Sequence, residues 1–131
     1  MKRLLMRDER GQAMVELALV LPVLLILFMG TVEFGRIFHS YLVITNASRE
    51  GARVAVLGGA DTAVSSRVGQ TTASLDATKL STNVTPAMAD RKSGVLATVE
   101  VRYRIPLIFP LFDVFIPNPL PVTSRTIMRV E

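Results

Sequence analysis

The most unusual chemical setting in this sequence belongs to Glu16. It follows a short basic leader, residues 1–11, and directly precedes the uncharged run 17–32. An ionised carboxylate at the centre of a membrane helix costs about 2.5–3.5 kcal/mol on insertion scales, and less near an interface. A plain membrane anchor has no use for such a group. We therefore interpret Glu16 either as a contact between helices or as an interfacial acid near a helix N-terminus, where negative charge is favoured.

The remaining polar candidates for chemistry are weaker. Glu33 with Arg36 and Glu50 with Arg53 have the i,i+3 spacing of ordinary ion pairs on a helix surface. His39 is the only histidine and the chain has no cysteine, which excludes a histidine pair for a metal and a thiol nucleophile. Neither a glycine-rich phosphate loop nor a nucleophile elbow is present. We therefore expect a protein that is not an enzyme and needs neither metal nor cofactor.

Composition points to a membrane. Half of the 131 residues are hydrophobic, the mean hydropathy is +0.41, and the apolar residues are concentrated near the N-terminus. The net charge of +4 is spread over the chain without a basic block, so we expect no nucleic-acid partner. A membrane segment leaves roughly 90 residues for a soluble part, which is small for an independent core.

The apolar segment 13–32 approaches the ~20 residues that a helix needs to cross a bilayer. Pro22 interrupts its helical hydrogen bonds, which together with Glu16 indicates neighbouring helices. The basic leader predicts a cytoplasmic N-terminus and a C-terminal part beyond the membrane. The segment continues without the small-x-small site of a secretory signal, so we expect it to remain attached.

The leader MKRLLMRDERG, a glutamate five residues after its glycine and the long apolar helix resemble the N-terminus of type IV prepilins. The string GQAMVELALVLPVLLILFMGTVEFGRIFHSYLVITNASREGARVAVLGG more specifically resembles the TadE-like family, the minor pilins or pseudopilins of the tight-adherence (Flp-type) pilus. The resemblance covers residues 11–59. It implies a bacterial inner-membrane subunit that crosses the membrane once, takes part in pilus assembly and surface adhesion, and can enter an extracellular pilus.

The resemblance also implies roles for individual residues. A prepilin peptidase would cut between Gly11 and Gln12, and Glu16 would neutralise the new amino group of a neighbouring subunit and so set the register between helices. The REGAR string would position the globular part against the helix. Its residues with that implied role are Arg49, Glu50, Gly51 and Arg53. The implied partners are the membrane, the peptidase, other pilin or pseudopilin subunits and the pilus assembly machinery.

Periodicity predicts an α+β, pilin-like fold. One long helix is expected over 12–58, with Gly58 and Gly59 ending it and the small residues Ala47, Gly51 and Ala55 allowing a close approach. A small module over 60–131 should begin with a short helix that Asp61 caps. Three antiparallel strands are expected at 80–88, 95–105 and 121–130, packed on the outer half of the long helix.

The segment 106–121, PLIFPLFDVFIPNPLP, is too apolar to face water freely. It contains five prolines, Pro106, Pro110, Pro117, Pro119 and Pro121, and three phenylalanines, Phe109, Phe112 and Phe115. One interpretation makes it a cover over the small sheet. The other makes the three phenylalanines an interface for a partner subunit or for the outer membrane leaflet. A functional alternative to the pilin also rests on this segment: an uncleaved single-pass envelope protein that binds a periplasmic partner through it.

Overall fold

The computed structural model describes residues 9–131, so most of the predicted leader lies outside the described residues. The first element, α1, is a helix of 48 residues over Glu9–Val56, about 72 Å long at ~1.5 Å per residue. It begins before position 12, where the sequence placed its start. The reason is that Glu9 and Arg10 are good helix formers and a single glycine, Gly11, does not interrupt the helix.

The two predicted glycines end α1. Gly58 has a φ of +85°, in the left-handed region that favours glycine. Its N–H donates to the Ala55 carbonyl at 3.3 Å, and the Gly59 N–H donates to the Val54 carbonyl at 3.0 Å, the pair of bonds that defines a Schellman motif. A Cβ at position 59 would lie 2.8 Å from the Val54 carbonyl oxygen, which is too close for a side chain. This backbone path therefore requires glycine at position 59.

The short helix, α2, covers Asp61–Thr71. The predicted cap is wrong: Ala60 occupies the N-cap and Asp61 is the first helical residue. The Asp61 carboxylate pairs instead with the guanidinium of Arg91, whose side chain is 2% exposed. Val64 and Val68 form the buried side of α2.

Three strands follow: β1 at Leu80–Thr85, β2 at Leu96–Ile105 and β3 at Leu120–Arg129. They form one antiparallel sheet in the order β1-β2-β3. The first strand ends before the predicted residue 88, because Pro86 has no N–H for the ladder and Met88 lies in a 3₁₀ turn. The α+β class and its elements are as the sequence predicted.

The core lies between β2 and the outer half of α1. Apolar and polar residues alternate along β2, and its apolar side chains that face α1 are buried. These are Ala97, Val99, Val101, Tyr103 and Ile105. On α1, Ala47 and Ala55 are 0% exposed and Gly51 is buried between them, so the predicted close approach is also present.

The strand β2 runs antiparallel to α1. The Arg36 guanidinium donates to the carbonyl of Pro106, the residue after β2, at 3.3 Å. At the opposite end, Val130 and Val56 border the same surface depression. The connection from β2 to β3 therefore leaves the sheet beside the middle of α1, where its apolar half begins.

Candidate functional site

Most of the N-terminal half of α1 is not covered by other parts of the protein. Among residues 9–131, one helix is long and apolar enough to cross a membrane, by length and composition, and its most apolar window has a mean hydropathy of 2.5 with no part buried within the protein. The side chains that would contact lipid are all more than 45% exposed. They are Met14, Val15, Leu17, Leu19, Val20, Leu21, Val23, Leu24, Leu25, Ile26, Leu27 and Phe28.

Glu16 lies on this uncovered surface. Its side chain is exposed, and it makes no hydrogen bond or ion pair with the residues that the structure describes. Gln12, one helical turn earlier, is exposed as well, and Gly11 is half-buried within the helix. At ~1.5 Å per residue, Glu16 lies about 6 Å along the axis from Gln12. A second helix shifted by that distance would bring its residue 12 level with this carboxylate.

The REGAR string divides between two sides of α1. The Glu50 carboxylate accepts hydrogen bonds from Arg67 of α2 at 2.8 and 3.2 Å. These bonds hold the pKa of Glu50 below its ordinary value. The Arg53 guanidinium is 3.9 Å from Glu50 and 72% exposed, and Arg49 is also exposed.

Gly51 is the point of closest approach in the α1 contact with the module. A Cβ there would lie 2.9 Å from Cγ2 of Val68, 3.3 Å from Cγ1 of Val64 and 3.2 Å from Cγ1 of Val99. It would therefore collide with α2 and β2 at once. Within the string, Glu50 and Gly51 lie at the contact with the module, whereas Arg49 and Arg53 face away from it.

The proline-rich connection is not a cover over the sheet, and that interpretation is wrong. It descends along α1: the Phe112 ring lies 3.6 Å from the position of a Cβ on Gly30, and residues 109–111 face Leu25 and Met29 across an apolar groove. Prolines keep the segment out of the sheet, and its centre is a short 3₁₀ helix, Pro110–Val114. The apolar side chains of the connection therefore pack against the apolar surface of α1 and not against the sheet.

The three phenylalanines predicted as an interface have different environments. Phe109 and Phe112 are half-buried on the α1 side of the segment. Phe115 is 83% exposed, and the neighbouring Val114 is 80% exposed. Only part of the predicted set is thus available to another molecule.

Glu33 fixes the connection to α1, a role that the sequence analysis missed. Its side chain is 3% exposed and accepts from Arg36 Nη1 at 2.8 Å and from the Ile108 N–H at 3.2 Å. Arg36 completes the link through the Pro106 carbonyl. The sequence feature that could have indicated this role is the position of Glu33, because it is the first acidic residue after the apolar run. Its i,i+3 pairing with Arg36 suggested a solvated pair instead.

Two further polar clusters hold the module together. Ser48 of α1, fully buried, contacts Ser124 Oγ at 3.1 Å and Thr126 Oγ1 at 2.8 Å on β3. On the other face of the sheet, Glu100 is 6% exposed and lies between Arg102 and Arg125. Hydrogen bonding by Arg125 lowers the pKa of Glu100.

Within residues 9–131, no three His, Asp or Glu side chains come together in a way that could hold a metal ion. His39 is exposed on α1. The residues of interest are those of the exposed apolar helix, Glu16, which has no side-chain partner among residues 9–131, and the connection packed beside that helix.

In the part of the chain that the structure describes, the fold and these surfaces define an α+β protein with a helix suited by length and composition to span a membrane and a small module on the outer part of that helix. A family model described as TadE-like protein matches residues 11–53, which confirms the resemblance over most of α1. The match associates the chain with the Tad pilus. No curated protein and no solved structure matches the chain.

Proposed function

We propose that this chain is a non-catalytic minor pilin or pseudopilin of a tight-adherence (Flp-type) pilus, acting in pilus assembly and surface adhesion. In the inner membrane, its N-terminus would be cytoplasmic and its module extracytoplasmic, as the basic leader predicts. The observation that carries the proposal is an exposed Glu16, unpaired within the described residues, on a helix that matches the TadE-like family.

The proposed mechanism begins with cleavage between Gly11 and Gln12 by a prepilin peptidase. In the uncleaved chain this peptide bond lies inside α1, so the first turns must unwind before a protease can bind them. Gly11 favours that opening, since glycine is the residue after proline that least supports a helix. The new α-amino group, with an ordinary pKa near 7.7–8.0, is largely protonated at neutral pH.

Glu16 would then accept this amino group from a neighbouring subunit. An ion pair removed from water is favourable only if both charges have partners, whereas a lone carboxylate in lipid is costly. The pair therefore favours the stagger of about 6 Å that brings the two groups level. An ion pair between the Gln12 amino group and Glu16 of the same chain would not favour any stagger between subunits. Loss of the Glu16 carboxylate should therefore weaken assembly only if the pair forms between two subunits.

The first test is intact mass and N-terminal sequencing of the membrane-purified protein, with and without a co-expressed prepilin peptidase. A chain starting at Gln12 only with the peptidase supports the pilin route. A leader retained in both samples supports the uncleaved envelope protein.

The second test concerns Glu16 itself. We expect Glu16→Ala and the nearly isosteric Glu16→Gln to be processed normally but recovered less in sheared pili. Leu19→Ala is a matched control, because Leu19 is 72% exposed on the same helix and carries no charge. Recovery of Glu16→Gln equal to that of the unaltered protein would contradict a role for the carboxylate in register.

A further inference from the structure

The connection between β2 and β3 enters the region of α1 that lipid should surround. Residues 109–111 line an apolar groove together with four residues of α1, which are Pro22, Leu25, Ile26 and Met29. These helix residues are three to ten positions before Val32, the last residue of the apolar run. At ~1.5 Å per residue they lie roughly 5–15 Å below the end of that run. The shallower part of this range is the depth at which amphipathic segments lie in the boundary between headgroups and acyl chains, about 5–10 Å.

The outward side of this segment is apolar. Its exposed fractions are 59% for Ile108, 53% for Leu111, 80% for Val114 and 83% for Phe115. Leu111 of this surface lines the groove whose other wall is the apolar surface of α1. An exposed apolar surface beside a spanning helix matches acyl chains rather than water.

The backbone of the segment is also suited to lipid, where unpaired N–H and carbonyl groups are unfavourable. Pro106, Pro110, Pro117 and Pro119 have no N–H. Several of the other N–H groups donate within the protein: Leu107 to Asn118 Oδ1, Ile108 to Glu33 Oε2, Phe112 to the Phe109 carbonyl, and Phe115 and Ile116 to the Phe112 carbonyl.

Polar groups are placed consistently with a membrane surface. Asp113, the one charged residue of the segment, accepts from the Asn118 amide at 3.0 Å, and its charge limits insertion to the outer part of the leaflet. Lys79, Arg102 and Arg104 border one depression at the sheet end from which the segment departs. Basic side chains at that level are suited to contact lipid phosphates.

We propose that residues 107–116 form a wedge that inserts beside the spanning helix into the lipid leaflet on the side of the module, with acyl chains as the partner of Val114 and Phe115. Glu33 and Arg36 hold the wedge against α1, so the module has a fixed height above the bilayer. The proposal requires only that α1 spans a membrane. It does not depend on leader cleavage or on entry into a pilus.

The test uses the absence of tryptophan from the chain. Phe115→Trp is made in the full-length protein and placed, one chain per disc, in phosphatidylcholine nanodiscs with or without lipids brominated on their acyl chains. Phe28→Trp, at a position 66% exposed within the apolar run, is the lipid control. Leu57→Trp, at a position 68% exposed at the far end of α1, is the water control.

We expect the tryptophan emission maximum of Phe115→Trp to lie at a shorter wavelength than that of Leu57→Trp. Brominated lipid should quench as large a fraction of its emission as it does for Phe28→Trp. Iodide, a quencher dissolved in the water, should have little effect on it. Emission that responds like that of Leu57→Trp would overturn the proposal. Resistance to both quenchers would also overturn it, because it would mean that protein covers the segment. The readout is unaffected by leader cleavage, so it can fail while the pilin proposal stands.

A second probe guards against a change caused by the bulky indole. The chain has no cysteine, so Val114→Cys carries a single nitroxide label in the same discs. We expect its relaxation to respond to oxygen, which partitions into acyl chains, more than to a water-soluble nickel chelate. The reverse order would contradict insertion.

Discussion

The substitution Gly51→Ala adds one methyl group at the contact between α1 and the module and so tests how close that contact is. A Cβ at this position would lie 2.9 Å from Val68 and 3.2 Å from Val99, and β-branched valines have little freedom to move aside. Overpacking of this kind costs about 1–3 kcal/mol. Against it, Gly→Ala within a helix gains about 1 kcal/mol in propensity.

Gly69→Ala is the matched control, because no atom lies within 4 Å of a Cβ built there on α2. It should gain about the same propensity term and raise the stability of the module by ~1 kcal/mol. The free energy of unfolding of Gly51→Ala should therefore lie about 1–3 kcal/mol below that of Gly69→Ala, since the propensity terms cancel. For a module of this size, each kcal/mol shifts Tm by roughly 4–8 °C.

The assay is thermal unfolding of the full-length protein in detergent, followed by near-ultraviolet circular dichroism of the buried Tyr103. This signal reports the module and not the membrane half of α1. Equal stabilisation by the two glycine substitutions would refute the assigned close approach.

Further changes test the other contacts. Ser48→Ala should lower the stability of the module by about 1–2 kcal/mol, because Ser124 and Thr126 lose a buried partner; urea unfolding measures this. Glu33→Ala should speed hydrogen exchange at the Ile108 amide while the β2 amides stay protected, and unchanged exchange at Ile108 would contradict the role of Glu33. The lowered pKa of Glu100 stabilises the fold above the ordinary glutamate value of about 4.3, and this contribution is lost as the pH falls through the lower folded value. Arg125→Met should therefore show a smaller loss of urea resistance between neutral and acid pH, and an unaltered pH dependence would argue against the pair.

The fold was largely predictable because its signals are local. Alternation of apolar and polar residues identified β2, and the paired glycines after Leu57 identified the end of α1. The start of α1 was misplaced because the resemblance drew a boundary at Gly11, whereas helix propensity continues across it. The cap of α2 was misassigned because Asp61 pairs with Arg91, thirty positions away, which no local pattern reveals.

The sequence could predict those parts of the candidate site that lie within a single secondary-structure element. The place of Glu16 at the start of the apolar run can be predicted from one helix alone, and its role between subunits stays a prediction. The position of residues 106–121 depends instead on which of two apolar surfaces, the sheet or α1, is free to receive them. That choice depends on Glu33, whose hydrogen bond to Ile108 joins positions 75 residues apart.

The division of the REGAR string has a consequence for the proposed assembly. Glu50 and Gly51 connect α1 to the module, so in the proposed pilus we expect their substitution to alter subunit contacts through a change in the fold. Arg49 and Arg53 lie on the side of α1 opposite Gly51, in line with the exposed Phe38 and Leu42 two to four turns earlier. This strip continues upward from the uncovered membrane half of the helix. The module and the proposed wedge occupy the other side, so the strip is the side of outer α1 that a neighbouring helix can reach.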